Sequence, residues 1–202
     1  MKLYYSPGAC SLSPHIILRE AGLAFDLVLA STKSHKLQDG TDYYTINPKG
    51  YVPLLEFDDG DRLTEGPAIV QYVADQVPDK HLVPPAGTRA RYHAMEWLNF
   101  ITSEIHKSFS PLFSPDFPEE GKAVYRKKLM DRFQYVDQQL EGKQFLMGEQ
   151  FTVPDAYLFV VSNWTVPTKL DIGGFRNLAA FRERVGARPA VQEAMKAEGL
   201  SK

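Results

Sequence analysis

Cys10 is the only cysteine in the chain, and its surroundings favour a reactive thiol. It lies between a short β-prone segment, Lys2–Tyr5, and a helix that the sequence predicts to begin near Ser11. Amides at a helix start are unpaired and the helix dipole favours an anion there, so the nucleophilic thiolate is stabilised. Ser13 stands where a Cys-x-x-Cys motif would carry its second thiol, so an external thiol would have to resolve any disulfide formed at Cys10. The alternative is an inert, buried cysteine.

Turns further along the first half carry groups suited to a peptide ligand. Pro53 opens a predicted strand, and if the Val52–Pro53 bond is cis, the Val52 backbone faces outward and can pair with an extended peptide. Glu65 and Gly66 open a predicted helix, where a carboxylate can hold an ammonium group and helix-end amides can hold a carboxylate. The alternatives are an ordinary trans proline and a Glu65 that only caps the helix.

A line of polar residues marks one helix in the second half of the chain. Asn99, Ser103 and His106 are spaced four and three apart, with Lys107 adjacent. Residues at this spacing share one helix face, and a face that meets only solvent would more often carry Glu and Lys. The pattern therefore predicts a binding surface beside the apolar stripe of the same helix. A solvated face with a capping histidine is the alternative.

The other histidines form no recognisable metal motif. His15, His81 and His93 have no partners at a diagnostic spacing and are predicted to lie at the surface. The sequence also has no phosphate-cradling glycine loop and no dinucleotide fingerprint. We therefore predict that the protein uses no metal and no nucleotide.

The elements that position these residues differ between the two halves of the chain. The first 80 residues predict the order β-α-β followed by β-β-α, with Gly22 ending the first helix and a hairpin whose turn is Asp58–Asp61. A segment rich in proline and glycine, 81–87, is predicted to be a linker. From residue 88 to residue 202 the apolar pattern is helical, and Thr152 and Asp155 form a capping-box motif before a buried central helix. The predicted domains are 1–80, the linker 81–87, and 88–202.

Composition narrows the classes of function. The 202 residues suffice for a substantial core, and Lys+Arg 23 against Asp+Glu 25 gives a net charge of −2, which provides no basic footprint for nucleic acid. A single cysteine is typical of a reducing compartment, so we predict a cytoplasmic protein. The sequence shows no membrane span and no export signal, so no membrane partner is expected.

The motifs, taken together, resemble the bacterial beta-class glutathione transferases over essentially the whole chain. The matching segments are Lys2-Leu3-Tyr4-Tyr5, Pro7-Gly8-Ala9-Cys10-Ser11-Leu12, Asn47-Pro48-Lys49-Gly50, Val52-Pro53, Leu63-Thr64-Glu65-Gly66, Trp97-Leu98-Asn99, Glu104-Ile105-His106-Lys107, Phe151-Thr152, Asp155-Ala156-Tyr157-Leu158-Phe159 and Arg188-Pro189. The resemblance implies an α/β thioredoxin-like N-terminal domain and an all-α C-terminal domain. It also implies a homodimer and glutathione as the bound thiol and co-substrate.

The same resemblance implies roles for individual residues. Cys10 would lie beside the glutathione sulfur, and Val52 would pair with the cysteinyl backbone through a cis Pro53. Many family members have Lys at the position of His35, where it holds the glycyl carboxylate; His35 is only partly charged near neutral pH, so affinity is expected to depend on pH. The remaining implied contacts are Tyr5 at the end of the first strand, Glu65 and Gly66 with the γ-glutamyl end, His106 and Lys107 on the wall near Cys10, and Asn99, Ser103, Glu104 and Ile105, partly across the dimer interface.

The expected activity is transfer of the glutathione thiolate to small hydrophobic electrophiles, a detoxification reaction, with Cys10 and His106 as the catalytic residues. Cys10 could also support thiol transfer or peroxide reduction through a mixed disulfide. The alternatives are a binding protein that kept the fold without turnover and a stand-alone glutaredoxin-type reductase. A stand-alone glutaredoxin-type reductase would leave the helical half of the chain without a role, whereas that half can build a pocket for the co-substrate. The predicted wall of this pocket is Tyr5, Phe109, Phe113, Trp164 and Thr168.

Overall fold

The computed structural model describes residues 1–201 and consists of short strands followed by longer helices. The strands are β1 (Lys2–Tyr5), β2 (Asp26–Leu29), β3 (Leu54–Glu56) and β4 (Arg62–Thr64). The helices are α1 (Leu12–Ala21), α2 (Gly66–Asp75), α3 (Arg89–Phe100), α4 (Lys107–Phe113), α5 (Glu119–Gln139), α6 (Val153–Asn163), α7 (Arg176–Gly186) and α8 (Pro189–Ala197). A π-helix, Ile101–His106, joins α3 to α4, and short 3-10 helices cover Tyr43–Thr45 and Pro78–Lys80.

The chain divides into two compact units. The first contains Met1–Val83 together with the C-terminal segment that begins at Arg188, and the second contains Pro84–Ala187. This division differs from the sequence-based one at the C-terminal end, because α8 packs against α1. The apolar face of α8, with Val191 and Ala194 buried, needs an apolar partner, and the sequence pattern of α8 does not reveal which helix supplies it.

The first unit is built on a mixed sheet of four strands in the order β2-β1-β3-β4. The strand β2 is parallel to β1, whereas β3 is antiparallel to both β1 and β4. Leu3 and Leu55 pair across the sheet and are fully buried, and alternation along the strands places their side chains on one face. The helix α2 contacts β3 and β4 and also packs against α1. The predicted order of strands and helices and the predicted hairpin are confirmed.

The predicted end of α1 is also confirmed. Gly22 follows the helix with φ 70°, and its amide donates to carbonyl groups of the last turn. Because this left-handed conformation is unfavourable for residues with a Cβ atom, glycine at this position ends the helix at little cost.

The second unit is helical, with α6 at its centre. All residues of α6 from Val153 to Ser162 are buried, as the apolar run in the sequence predicts. The sequence predicts two buried apolar stripes, and the first, Ala94, Leu98, Ile101 and Ile105, is buried. In the second, along α5, Leu129, Phe133, Val136 and Leu140 are buried, whereas its first residue, Tyr125, is half-buried. Among the described residues, no helix combines the length and the hydropathy that crossing a membrane requires.

Candidate functional site

Cys10 lies in the turn between β1 and α1, and backbone contacts hold that turn. The Ala9 amide donates to the Ser6 carbonyl at 3.0 Å, which closes the turn. Ser11 does not cap α1 with its side chain; its hydroxyl instead contacts the backbone amide and carbonyl of Ser6 at 3.1 and 3.2 Å. Cys10 is half-buried rather than enclosed, so the alternative of a fully buried cysteine does not describe it.

The Cys10 thiol contacts the segment that precedes β3. Its Sγ donates a hydrogen bond to the Val52 carbonyl at 3.3 Å. The Val52–Pro53 peptide bond is cis, as the resemblance implies. The structure therefore brings together Cys10, Val52 and Pro53, which the sequence separates by about 40 residues.

Side chains of the preceding loop fix the backbone next to Val52. The Tyr51 carbonyl accepts hydrogen bonds from the Tyr43 hydroxyl at 3.0 Å and from the Asn47 Nδ2 at 2.7 Å. Tyr43 is fully buried, and burial raises the pKa of its hydroxyl to about 12, so it remains a donor at physiological pH. The sequence does not single out Tyr43, because nothing in its local pattern separates it from an ordinary core tyrosine.

Glu65 and Gly66 lie at the start of α2, where Glu65 has an unusual backbone conformation. Its φ is 69° and its ψ 109°, a region that L-residues with a side chain rarely adopt. The Glu65 side chain makes no cap hydrogen bond to the helix and is 67% exposed, so it is not the simple helix cap that was the alternative. Its carboxylate pairs with the Lys49 ammonium group at 2.8 Å, and Lys49 also contacts the Thr64 hydroxyl at 3.1 Å.

His35 and Tyr5, two further predicted contacts, also lie in the first unit. His35 has φ 52°, its Nδ1 lies 3.1 Å from the Gly50 carbonyl, and its ring packs on Tyr44 with 4.7 Å between centroids. Tyr5 is half-buried at the end of β1, and burial together with the Glu198 carboxylate raises the pKa of its hydroxyl.

The prediction that His15 lies at the surface is wrong. Its side chain is fully buried, with Nδ1 2.8 Å from Glu198 Oε1 and Nε2 accepting from Arg19 Nε at 2.9 Å. His81 and His93 are exposed as predicted. The sequence could not indicate the burial of His15, because its main partner lies 183 residues away.

In the second unit, the predicted polar line does not continue along one exposed face. Asn99 and Ser103 are exposed, and the Ser103 hydroxyl donates to the Asn99 carbonyl at 3.0 Å. His106 is half-buried, and its ring lies edge-on to Trp164 at 4.8 Å and near Tyr157. The π-helix Ile101–His106 explains why His106 is less exposed than Asn99 and Ser103. Each π-helical turn contains more residues than an α-helical turn, so residues spaced four and three apart no longer lie on one face of the helix.

The hydroxyl of Tyr157 was not identified from the sequence, although it contacts His106 directly. It lies 2.5 Å from His106 Nδ1, and Tyr157 is buried in α6. A polar atom within a nearly apolar helix was the available signal, since such an atom needs a partner when buried. This contact fixes the orientation of the imidazole.

The remaining residues of the second unit that are predicted to contact glutathione, Glu104, Ile105 and Lys107, differ in burial and in their partners. Glu104 is paired with Arg132 at 2.8 Å and with Lys128 at 3.4 Å, and the Arg132 contact is the main reason that the pKa of the Glu104 carboxyl is lowered. Ile105 is fully buried, whereas Lys107 is exposed. Their roles toward glutathione remain predictions.

Three of the residues predicted for the co-substrate wall form one aromatic cluster. Phe109 is fully buried and lies edge-on to Trp164 at 5.6 Å. Phe113 stacks near Phe109 at 6.1 Å, also meets Trp164, and is 49% exposed. Thr168 adjoins the cluster through its hydroxyl, which donates to the Trp164 carbonyl at 2.7 Å. Within residues 1–201, no group of three or more His, Cys, Asp and Glu side chains is arranged to hold a metal ion, and the absence of a metal stays a prediction.

Comparisons with known proteins agree along the whole chain. The family "Glutathione S-transferase, N-terminal domain" matches residues 8–76, and the family "Glutathione S-transferase, C-terminal domain" matches residues 100–189. Glutathione S-transferase GstA of Escherichia coli O157:H7 is 50% identical over 99% of this chain and 100% of its own length.

Solved structures show the same similarity in three dimensions. A bacterial beta-class glutathione S-transferase of Sphingomonas chungbukensis has a TM-score of 0.96 at 45% identity, and all of both chains is covered. A sphingomonad glutathione S-transferase complexed with glutathione has a TM-score of 0.95 at 42% identity, again over all of both chains.

Proposed function

Since the chain belongs to the glutathione S-transferase family and is a glutathione transferase similar to the bacterial beta class, we propose that it conjugates glutathione to small hydrophobic electrophiles. The predicted family and the predicted fold class, a thioredoxin-like N-terminal domain followed by a helical C-terminal domain, are confirmed. One observation carries the proposal: the half-buried Cys10 thiol lies 3.3 Å from the Val52 carbonyl, beside the cis bond to Pro53. The thiol and a backbone edge able to pair with a peptide thus lie side by side.

The binding step follows from the chemistry of glutathione, which is a small peptide with a thiol, an ammonium group and two carboxylates. The Val52 backbone pairs with the cysteinyl unit and brings the ligand sulfur next to Cys10. The Glu65 carboxylate holds the ammonium group of the γ-glutamyl end, while the amides at the start of α2 at Gly66 hold its carboxylate. His35 receives the glycyl carboxylate when its ring is protonated. The bound ligand of the sphingomonad relative supports glutathione as the thiol.

The chemical step is nucleophilic substitution by sulfur. The glutathione thiolate attacks the electron-poor carbon of an aryl halide, the carbon–sulfur bond forms, and halide leaves with the bonding electron pair. The thiol proton is released to solvent before attack. The start of α1 favours the anion by about 0.3–1 kcal/mol through the helix dipole.

Residues of the second unit serve the same reaction. His106, oriented by Tyr157, acts on the sulfur or on the leaving group as a hydrogen-bond donor, and Lys107, Asn99, Ser103, Glu104 and Ile105 contribute to glutathione binding. The aromatic cluster of Phe109, Phe113 and Trp164 offers the apolar surface that a hydrophobic electrophile needs.

Cys10 supports a second, redox activity. The Cys10 thiolate attacks the glutathione sulfur of a mixed disulfide between glutathione and another thiol, forms a Cys10–glutathione disulfide and releases the other thiol as its thiolate. A second glutathione thiolate then attacks the Cys10–glutathione disulfide, forms oxidised glutathione and frees the Cys10 thiolate, so the mixed disulfide is reduced at the expense of glutathione. The chain has no second cysteine that could perform this step.

We also propose a cytoplasmic homodimer that detoxifies electrophiles. Reduced glutathione and a free thiol both persist in a reducing compartment. Each unit exposes a tyrosine, Tyr51 at 66% in the first and Tyr92 at 63% in the second, and tyrosine is enriched at protein–protein interfaces. Light scattering after size exclusion should give twice the chain mass of 22.8 kDa.

Titration calorimetry with glutathione and assays of Cys10→Ala test the proposal. We expect heat from glutathione binding, aryl-halide turnover by the wild-type protein and by Cys10→Ala within about tenfold of each other, and disulfide reduction by the wild-type protein alone. Cys10→Ser serves as the matched control, because it keeps the size and a hydrogen-bond donor toward Val52.

Other outcomes would contradict distinct parts of the proposal. A titration without heat over a broad pH range would exclude glutathione as the ligand. Binding without turnover of several electrophiles would favour the non-enzymatic alternative. Loss of aryl-halide conjugation together with disulfide reduction would show that Cys10 is required for conjugation and not mainly for redox chemistry.

A further inference from the structure

The first unit contains a buried carboxylate that the proposed reaction does not use. Glu198 follows α8, and its side chain is fully buried. Its Oε2 accepts a hydrogen bond from the Gly8 amide at 2.9 Å, and its Oε1 lies 2.8 Å from His15 Nδ1, which is also fully buried. Burial of a carboxylate is costly unless hydrogen bonds compensate it, so both contacts are needed where this side chain lies.

Arg19 determines which nitrogen of His15 carries the proton. The Arg19 Nε donates to His15 Nε2 at 2.9 Å, and a guanidinium group has no acceptor atom. His15 Nε2 must therefore offer its lone pair, so the imidazole is neutral and its proton is on Nδ1. The Nδ1–H group then donates to Glu198, and the row of hydrogen bonds runs in one direction from Arg19 through His15 to Glu198.

The row ends at the turn that carries Cys10. Gly8 lies two residues before Cys10 and has φ 70°. A Cβ atom at Gly8 would lie 3.5 Å from the Leu200 side chain, so the residues after α8 pack directly on this turn. The partner of the Gly8 amide is 190 residues away in sequence.

We propose that Glu198 and His15 are positioning residues that hold the Gly8–Cys10 turn in the conformation needed to bind glutathione. Glu198 fixes the backbone of the turn at the Gly8 amide, and His15, in the tautomer set by Arg19, fixes Glu198. The consequence for glutathione rests on the proposed function, whereas the consequence for the turn does not.

A different contact holds α8 against α1, which separates this role from general packing. Arg188 donates to Glu20 through Nε at 2.6 Å and through Nη2 at 3.0 Å. This contact also joins α8 to α1 and does not involve Gly8. Glu20→Gln therefore weakens the docking of α8 while leaving the turn with its carboxylate, and it is the matched control for substitutions of Glu198.

Amide exchange of Gly8 and glutathione affinity test the proposal in the full chain. In Glu198→Ala we expect the Gly8 amide to exchange about tenfold faster or more, because its acceptor is absent, and the Kd for glutathione to rise about tenfold. In Glu20→Gln the exchange rate of the Gly8 amide and the Kd for glutathione should both stay within about twofold of the wild-type values, although the thermal midpoint of this variant falls.

A double substitution tests the tautomer and covers the case in which Glu198→Ala does not fold. In Glu198→Gln one carboxamide oxygen faces two donors, the Gly8 amide and His15 Nδ1–H, so one donor meets the NH2 group. Arg19→Met removes the donor to Nε2 while keeping much of the stem; His15 can then carry its proton on Nε2 and accept from the carboxamide. We expect Glu198→Gln/Arg19→Met to protect the Gly8 amide better than Glu198→Gln alone.

The outcomes separate this inference from the proposed function. Unchanged Gly8 exchange in Glu198→Ala, or equal effects in Glu198→Ala and Glu20→Gln, would overturn the positioning role. Equal Gly8 exchange in the single and double substitutions would overturn the assignment of the His15 tautomer. If the unchanged protein itself binds no glutathione, the proposed function fails, and the exchange measurements still decide the role of Glu198 in holding the turn.

Discussion

The helices α1 and α6 begin in different ways, although both starts are visible in the sequence. At the start of α6 the Asp155 carboxylate accepts hydrogen bonds from the Thr152 amide, the Thr152 hydroxyl and the Leu146 amide, each at 2.8 Å. At the start of α1 no side chain caps the helix, and the partner of the nearby Gly8 amide comes from Glu198. Side chains from nearby in the sequence satisfy the backbone amides at the start of α6, and this capping supports the fold. The start of α1 has no such cap, so its backbone amides have space for a ligand.

The same contrast separates α3 from α2. Thr88 caps α3 by accepting from the Arg91 amide at 3.2 Å. Glu65 precedes α2 without capping it, and its exposed carboxylate points to another partner, Lys49. Substitutions at the capped starts should therefore change stability, and substitutions at the uncapped starts should change binding.

The largest effect is expected for Asp155→Ala. It leaves three donors at the start of the buried helix α6 without their acceptor, so the free energy of unfolding should fall by about 3 kcal/mol or more. Urea denaturation measures this loss. Asp155→Asn, which keeps one acceptor oxygen, should lose less, and the folded fraction of either variant should bind glutathione with unchanged affinity. A loss of affinity in folded protein would contradict the separation between capped and uncapped starts.

Glu65→Gly should produce the opposite result. Glycine adopts a positive φ without strain, so the free energy of unfolding should stay the same or rise by about 1 kcal/mol. The carboxylate for the ammonium group is lost, and the Kd for glutathione should rise about tenfold or more in calorimetry. Lys49→Gln is the control, since loss of the exposed pair alone should alter stability by less than about 0.5 kcal/mol. Unchanged affinity of Glu65→Gly would place the γ-glutamyl end elsewhere.

Thr88→Ala should have the smallest effect of the three. Loss of the N-cap of α3 should lower the free energy of unfolding by about 1 kcal/mol, because the Arg91 amide loses its side-chain partner. Thermal or urea unfolding measures the change, with Thr88→Ser as the control that keeps the cap. Weaker glutathione binding by Thr88→Ala would show that a capped start can also serve the site.

Local patterns in the sequence were sufficient for much of the fold. The sequence alone predicts Gly22 as the end of α1, the hairpin of β3 and β4, and the capping box at Thr152, and the structure confirms all three. Each depends on residues that lie within a few positions of one another. The apolar stripes of α3 and α5 were likewise identified, because burial of one helix face imposes a regular spacing.

The candidate site was predictable only in part. Cys10 was identified from its position before a helix, and Glu65 from its position at another. The family resemblance implied that Cys10 and Val52 both approach the cysteinyl unit of glutathione, and their direct contact was not predicted. His106 was placed by its spacing on one helix face with Asn99 and Ser103, because the sequence gives no sign that the helix changes to π geometry at Ile101.

The amino-acid sequence determined most of the helices and strands and several of their ends, because hydrogen bonds within a few residues and the periodic burial of side chains decide those features. It also singled out Cys10 as the candidate reactive thiol. Only the tertiary structure decided that His15 is buried, that α8 packs on α1, and that Glu198 accepts a hydrogen bond from the Gly8 amide before Cys10. These contacts join residues at least 168 positions apart, and no local pattern records which distant donor or acceptor a buried polar atom meets.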